Sequence, residues 1–192
     1  MTTTTLSTYF ALLTLACALA TIAAIVVCLT AKVTGPASTA GSVRDEIARS
    51  GLWLAWLVAA TTTAGSLYYS LGAHFEPCEL CWYQRICIYP LSLVLLAAAL
   101  RRDRTVWTYT IPIAAIGAVI ATYHTQLQAF PKQTTFCSLN NPCTTRYVWE
   151  FGFISLPLMA LTAFCFVITM ITIAARGAAA PSPRTSSPLP TP

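Results

Sequence analysis

Residues 77–100 read PCELCWYQRICIYPLSLVLLAAAL, two cysteines three positions apart followed by an apolar run. A helix needs about 20 apolar residues to cross the hydrocarbon core of a bilayer, and this run approaches that length. Pro77 suits the first turn of a helix, where its missing N–H is not needed. The stretch therefore predicts a membrane-spanning helix with a pair of thiols, Cys78 and Cys81, at its water-facing end.

The composition of the whole chain agrees with a membrane protein. Of its 192 residues, 56% are hydrophobic and only 9% are charged, whereas soluble domains carry about 25% charged residues. The net charge of +5 is small and lies at the ends of the apolar segments, where it orients a membrane protein rather than binding nucleic acid. We expect a lipid bilayer as the environment and no nucleic-acid partner.

Apolar runs of spanning length occur five times along the chain. They predict an all-α fold, a polytopic membrane helix bundle. The first run is too long for the core of a signal peptide, and no basic residue precedes it, so we expect an uncleaved helix. The predicted spans are Thr8–Ala31, Leu52–Ala73, Trp82–Leu100, Thr105–Gln126 and Phe151–Ala175.

Basic residues predict the orientation of the bundle. Three groups of basic residues all fall on one side of the membrane if there are five spans, and the positive-inside rule assigns that side to the cytoplasm. Both cysteine pairs then lie on the extracytoplasmic side of the cell membrane, where disulfides persist, and the C-terminus is cytoplasmic. The groups are Lys32, Arg44 and Arg49; Arg101, Arg102 and Arg104; and Arg176 and Arg184.

The first cysteine pair has the properties of a reactive site. Cys78 and Cys81 are neighbours on one helix face and close enough to be bridged. Free N–H groups at a helix start stabilise an anion and lower the pKa of a thiol there. Arg85 shares this face, one turn inside the span, where an arginine has an anionic partner or extends outward to the interface. The alternatives for the cysteines are a structural disulfide and half of a zinc site.

The second pair, Cys137 and Cys143, lies in a polar loop, residues 131–150. A bridge between them closes a short ring, which gains little stability from cross-linking. Exposed or strained disulfides exchange readily, so a redox role is favoured over a structural clip or a four-cysteine metal site with the first pair. The other four cysteines lie in apolar runs, where we expect inert small side chains. They are Cys17, Cys28, Cys87 and Cys165.

Residues 76–90, EPCELCWYQRICIYP, closely resemble the signature of the disulfide bond formation protein B family, especially its Gram-positive-type branch called BdbC. The resemblance covers roughly residues 52–175. It implies a four-helix core, so that the first span is one extra N-terminal transmembrane helix. Further similar parts are Tyr123-His124 with Leu127-Gln128, the Cys137 and Cys143 pair, and Trp149 through Pro157.

The resemblance also implies a domain organisation. Residues 1–51 would hold the extra N-terminal transmembrane helix and a cytoplasmic link. Residues 52–176 would form the four-helix redox domain. Residues 177–192 are rich in Pro, Ser and Thr, a composition that predicts a disordered cytoplasmic tail.

The activity implied by the resemblance is that of a membrane thiol oxidase with a quinone, menaquinone or ubiquinone, as electron acceptor. Cys78 and Cys81 resemble the quinone-proximal pair, with Cys81 the thiolate that meets the quinone ring. Arg85 resembles the arginine that supports quinone binding. The loop pair of Cys137 and Cys143 would accept electrons from an extracytoplasmic thioredoxin-fold thiol oxidase of the DsbA or BdbD type. That partner in turn would oxidise exported proteins.

The remaining expectations concern His124 and a bound metal. His124, near the outer end of its span, is a candidate for bonding the quinone or for proton transfer, and a structural bundle histidine is the alternative. We expect no metal at the site. Two other functions stay open: a vitamin K epoxide reductase-like enzyme, in which the loop pair precedes the CxxC, and a membrane adaptor held by structural disulfides or zinc.

Overall fold

The computed structural model describes residues 3–133, 137 and 142–178. Apart from a single antiparallel bridge between Glu150 and Ile154, its regular structure in these residues is helical, which confirms the predicted all-α bundle. The predicted tail lies outside the described residues from position 179 onward. The helices are α1 (Thr3–Thr34), α2 (Thr39–Leu71), α3 (Glu79–Arg101), α4 (Trp107–Ala129) and α5 (Leu156–Ala178).

Four of the helices in the described part of the chain are long and apolar enough to cross a membrane, namely α1, α3, α4 and α5. The helix α2 has 33 residues but is not in this set. Its C-terminal half carries the run Thr61-Thr62-Thr63 and the hydroxyls of Ser66 and Ser70, which lower its hydropathy. Polar groups are tolerated in a spanning helix where they face other helices rather than lipid, and both serines do so, as described below.

Small residues allow the helices to approach closely, as is common in membrane bundles. Ala55, Ala59 and Ala114 are fully buried between the helices. At the crossing of α4 and α5, a Cβ on Gly117 would lie 2.3 Å from the ring of Phe164. The helix α5 packs against α1, α2 and α4, so it forms the centre of the bundle.

Three predicted helix starts were displaced by five residues or more. The helix α1 begins at Thr3 rather than Thr8. The helix α2 begins at Thr39 rather than Leu52, because the Ser38 side chain accepts the Gly41 N–H at 3.1 Å and caps a continuous helix through the polar segment. The helix α5 begins at Leu156 rather than Phe151. Residues 150–154 form a tight turn instead, with Phe151 at φ 52° and Gly152 at φ 80°, and left-handed backbone ends helical continuity.

The basic segments meet at one end of the bundle. Asp45 and Arg49 of α2, Arg104 of the α3–α4 link and Gly177 of α5 line one shallow cavity there. The cysteine loops lie beyond the opposite ends of these helices. This clustering supports the predicted grouping of positive charge, and the assignment of that end to the cytoplasm stays a prediction.

Candidate redox site

Cys78 is the N-cap of α3, with an extended backbone at φ −71° and ψ 172°. Its carbonyl accepts the Trp82 N–H at 3.1 Å. Pro77 therefore precedes the cap and does not occupy the first helical turn as predicted. The Sγ atoms of Cys78 and Cys81 lie 3.1 Å apart, and both thiols are free. The spacing of the two cysteines at a helix start brings them together as expected.

The second pair forms a disulfide between Cys137 and Cys143, with 6.0 Å between the Cα atoms. The two residues are only 8% and 1% exposed. They belong to the same buried cluster as Cys78, Leu80 and Leu127, and Cys81 packs against this cluster. Two pairs that are distant in the sequence therefore meet at one end of the bundle.

Polar contacts hold the loop of the second pair against α4. Arg146 Nε donates to the Gln128 carbonyl at 2.8 Å, and Gln128 Nε2 donates to the Thr145 carbonyl at 2.9 Å. On the other side of the loop, the rings of Phe75 and Tyr147 stack with centroids 4.7 Å apart. These contacts tie the loop to both α4 and the segment that leads into Cys78.

His124 lies between the two pairs and is 1% exposed. Its Nε2 atom is 3.7 Å from Cys78 Sγ and 3.1 Å from the carbonyl oxygen of Cys143. Gln84 Nε2 lies 3.0 Å from His124 Nδ1. With the Gln84 amide donating, Nδ1 accepts and the neutral imidazole carries its proton on Nε2, directed at the sulfur and the carbonyl.

These neighbours favour the thiolate form of Cys78. The Cys81 thiol donates a hydrogen bond to the Cys78 sulfur, and this bond, with the hydrogen bond from His124, lowers the pKa of Cys78 to about 4. Burial acts in the opposite direction and is outweighed. Cys78 is therefore ionised above that pH and becomes protonated as the pH falls through it. The structure thus favours the thiolate at Cys78, whereas the resemblance implied a thiolate at Cys81.

Replacing His124 by phenylalanine should move the ionisation midpoint of Cys78 to higher pH, because the hydrogen bond from the imidazole to the Cys78 sulfur is lost. The pH dependence of Cys78 alkylation, followed by mass spectrometry of its peptide, measures this midpoint. His74→Asn is the matched control, since His74 is the only other histidine and is exposed in a left-handed turn at φ 56°. An unchanged midpoint in His124→Phe would contradict the role assigned to the imidazole.

Arg85 is held by α2. Its guanidinium donates to the Ser70 hydroxyl and, at 3.3 Å, to the Ser66 carbonyl. The guanidinium also lies over the Trp82 ring, with 5.3 Å to the centroid, a cation–π contact. Tyr89 donates to the Ser66 hydroxyl at 3.1 Å. The side chain is thus directed sideways into the bundle and does not extend outward as a simple interfacial anchor would.

A cavity of about 120 Å³ opens beside Cys81 and Arg85. Gln84 lines it as well, while His124 does not. The remaining walls come from α1, α2 and α5 and are mostly apolar. They include Phe10, Thr62, Gly65, Tyr69, Pro157 and Phe164. The site thus has two sides: Cys78 contacts His124 and packs with the loop disulfide, and Cys81 faces the cavity.

The same groups have a metal-binding geometry. Cys78, Cys81 and His124 place one donor atom each within 4.8 Å of one another. Thiolate and imidazole are ligands that zinc prefers. The predicted four-cysteine alternative needs Cys137 and Cys143 as thiolates, but in this structure they are bonded to each other.

Three functional candidates were missed by the sequence reasoning: Gln84, Ser66 and Ser70. Gln84 is 7% exposed, and a polar residue inside an apolar span was a signal that could have identified it. The serines gave no comparable signal, because small hydroxyls are common in membrane helices. Of the four cysteines expected to be inert, none belongs to the cluster around Cys78 in the described structure.

Helices of membrane-spanning length, with two cysteine pairs gathered at one end of the bundle, indicate a class of protein: the membrane oxidoreductases that act in disulfide formation. The family model of the Disulfide bond formation protein DsbB matches residues 48–175. The chain belongs to this family, and it is a membrane protein of disulfide bond formation. The match leaves out α1.

Similar proteins carry the same description. Disulfide bond formation protein C of Bacillus subtilis (strain 168) is 42% identical over 124 residues, which cover 64% of this chain and 90% of the relative. Probable disulfide formation protein C 2 of Bacillus anthracis is 39% identical over 121 residues, 62% of this chain and 86% of the relative. A probable disulfide formation protein of Coxiella burnetii (strain Dugway 5J108-111) is 43% identical over 115 residues, 58% of this chain and 78% of the relative. No solved structure matches significantly.

Proposed function

We propose that the protein is a protein-dithiol:quinone oxidoreductase. It oxidises an extracytoplasmic thioredoxin-fold dithiol protein at Cys137–Cys143 and passes two electrons through Cys78 and Cys81 to a membrane quinone. One observation carries the proposal: Cys78 is clustered with the loop disulfide, while its neighbour Cys81 lines a cavity with Arg85. Electrons that enter at the loop can therefore leave at the cavity by exchange between adjacent sulfurs.

The first half of the reaction is thiol–disulfide exchange at the loop. A partner thiolate attacks Cys137 Sγ, the Cys137–Cys143 bond breaks, and Cys143 leaves as a thiolate. The second thiol of the partner then attacks the partner's first sulfur, the bond between that sulfur and Cys137 breaks, and Cys137 leaves as a thiolate. The partner gains a disulfide, and the loop pair holds two electrons as two thiols.

The second half passes these electrons on. A loop thiolate attacks Cys78 of a Cys78–Cys81 disulfide, Cys81 leaves toward the cavity, and the second loop thiol completes the exchange. The loop disulfide is restored and the CxxC pair is reduced, the combination of bonds seen in this structure. Oxidation of Cys78 and Cys81 back to a disulfide releases two electrons and two protons, which convert a quinone to a hydroquinone.

The cavity suits the ring of a quinone. The ring is apolar with two acceptor oxygens, and the cavity offers apolar walls with two donor groups, Arg85 and Gln84. When bound, the quinone supplies the two-electron acceptor, while the protein supplies binding and orientation. Arg85 is pre-positioned by Ser66 and Ser70, so little side-chain entropy is lost when it donates to a ligand.

Arg85→Ala should raise the KM for quinone by about tenfold or more, since a hydrogen bond from a charged donor contributes about 1.5–3 kcal/mol. Exchange with a thioredoxin-fold partner at the loop should be largely unchanged, because the loop contacts are elsewhere. Arg101→Ala, at the far end of the same helix, is the control. Stopped-flow quinone reduction and partner reoxidation measure the two steps separately, and equal quinone kinetics in wild type and Arg85→Ala would remove Arg85 from the binding site.

The proposed function is tested by mixing purified, reduced protein with a soluble quinone without oxygen. We expect two thiols to disappear for each quinone reduced, and the loss should begin at Cys78 and Cys81, which the loop thiols can then reduce again. A second candidate function, a zinc-holding adaptor, is favoured by the three clustered donor atoms. It predicts bound metal and thiols that the quinone does not oxidise. Metal analysis of the same sample separates the two.

The order of the cysteine pairs along the chain and the family match both argue against a vitamin K epoxide reductase-like enzyme.

The proposed orientation places both pairs outside the cytoplasm. A membrane-impermeant thiol reagent added to intact, reduced cells should label Cys137 or Cys143, and labelling should not increase after lysis. Cys28, near the opposite end of α1, serves as the internal comparison. Labelling of the loop pair only after lysis would reverse the orientation.

A further inference from the structure

The helix α1 lies outside the family match, yet its outer end is attached to the redox domain at defined points. Tyr69 of α2 donates to the Ser7 hydroxyl at 3.2 Å, and Thr8 donates to a Glu150 carboxylate oxygen at 3.4 Å. The Phe10 ring lies against Gly65 of α2, where a Cβ would come within 3.0 Å of it. These contacts fix the register of α1 and place Phe10 in the wall of the cavity beside Cys81.

A second cavity, of about 430 Å³, lies between α1, α2 and α5. Its walls are predominantly apolar, and one whole side comes from α1. The side chains on this side are Tyr9, Phe10, Leu13, Thr14, Ala16 and Cys17. Without α1 this space would be an open face of the redox domain.

The two cavities are adjacent. Phe10, Thr62 and Met159 line both of them, so the two cavities meet at these residues and together outline a path from Cys81 into the groove along α1. The end of this path beside Cys81 holds the hydrogen-bond donors Arg85 and Gln84. The rest is predominantly apolar, so the path suits a molecule whose ring carries acceptor oxygens and whose long tail is apolar.

We propose that the groove between α1, α2 and α5 binds the isoprenoid tail of the quinone whose ring reaches the cavity beside Cys81, with Phe10 at the junction. The inference rests on the proposed function, because that function supplies the ligand. Continuity with the ring cavity is the argument for a quinone tail over a phospholipid acyl chain. The helix α1 would then cover the tail and confine it to one path, which the four helices that match the family model cannot do alone.

Photolabelling of the wild-type protein tests the groove directly. The probe is a quinone with a photoreactive group on its isoprenoid tail, added to the full chain in lipid nanodiscs. We expect saturable labelling of α1 that excess unlabelled isoprenoid quinone abolishes. Labelling of α1 that does not saturate, as for bulk lipid or an acyl chain in the groove, or labelling confined to other helices, would overturn the proposal.

A pair of variants adds a quantitative readout. Ala16→Trp places a large ring in the groove, whereas Leu19→Trp places the same ring on the face of α1 where Leu19 is 68% exposed. The affinity for a tailed quinone, divided by the affinity for a tailless quinone, should fall by about tenfold in Ala16→Trp. This is the change expected when about two methylene groups of the tail are no longer buried. Leu19→Trp should leave the ratio unchanged. Equal ratios in wild type and Ala16→Trp would contradict the assigned groove.

The outcomes separate this inference from the proposed function. If the wild-type protein does not reduce a tailless quinone, the function itself is wrong. If it does so, but the tail probe misses α1, only the tail groove is wrong. If Ala16→Trp does not fold, the photolabelling of wild type still decides the question.

Discussion

Replacing Cys81 by alanine should lower the rate of quinone reduction by at least about a hundredfold, as expected when an essential reacting group is removed. Cys78 alone cannot form the intramolecular disulfide that releases two electrons, and Cys81 is the sulfur that lines the cavity. Reduced protein mixed with a soluble quinone under stopped flow gives the rate. Cys137–Cys143 should still be reduced by a dithiol partner, so the loss is confined to the second half of the reaction.

Cys87→Ala is the matched control for this experiment. Cys87 is on the same helix and is 7% exposed, but it does not line the cavity beside Cys81. We expect quinone reduction close to the wild-type rate, because a buried Cys of this kind acts as a small apolar side chain. Equal rates in Cys81→Ala and wild type would show that electrons do not leave through the CxxC pair.

Replacing Cys143 by alanine should trap a mixed disulfide between Cys137 and the thioredoxin-fold partner. Cys137 is 8% exposed and Cys143 only 1%, and the carbonyl of Cys143 is also in contact with His124. The partner should therefore reach Cys137 first. Without Cys143, an added thiol oxidant such as diamide joins Cys137 to the attacking thiol of the partner. No Cys143 thiol can resolve that bond from the protein side, so it persists with a partner variant that lacks its second thiol.

Non-reducing gels measure the trapped species, which should account for most of the protein and disappear with reductant. Cys137→Ala should trap little partner. The opposite result, with trapping by Cys137→Ala only, would reverse the order of attack, and absence of trapping in both variants would leave the relay without support. The residues just before Cys137 lie outside the described residues, so the order of attack is argued from the burial of the two cysteines.

Features that depend on local spacing were predicted well from the chain alone. Cys78 and Cys81 adjoin because residues three apart share a helix face, and the apolar runs marked the five helices because a bilayer demands that length. Helix boundaries were predicted less accurately where a single side chain or a tight turn sets the start of the helix. Ser38 caps α2 well before the apolar run, and the left-handed turn at Phe151 and Gly152 delays α5.

Other features depend on contacts between side chains of different helices. The spacing of residues along the sequence carries no information about these contacts. His124 was a candidate for bonding the quinone, for proton transfer or for a structural role, and the bundle places it between Cys78 and Cys143, outside the walls of the cavity. Arg85 was expected to have an anionic partner or to extend outward, and in the bundle serines of α2 hold it. Neither partner can be read from the helix that carries the residue, because the contact is set by how the neighbouring helices are packed and rotated.

The sequence alone was enough to identify a helical membrane protein with two cysteine pairs near the ends of its helices, because hydropathy, helix periodicity and cysteine spacing are properties of short segments. The meeting of those pairs at His124 depended on the packed bundle, as did the cavity beside Cys81 and the groove along α1. Each of these joins residues from at least two helices that are far apart in the chain. The close packing of small residues such as Gly65 and Gly117 brings those helices into contact, and through that contact it gives Cys78 and Cys81 different surroundings.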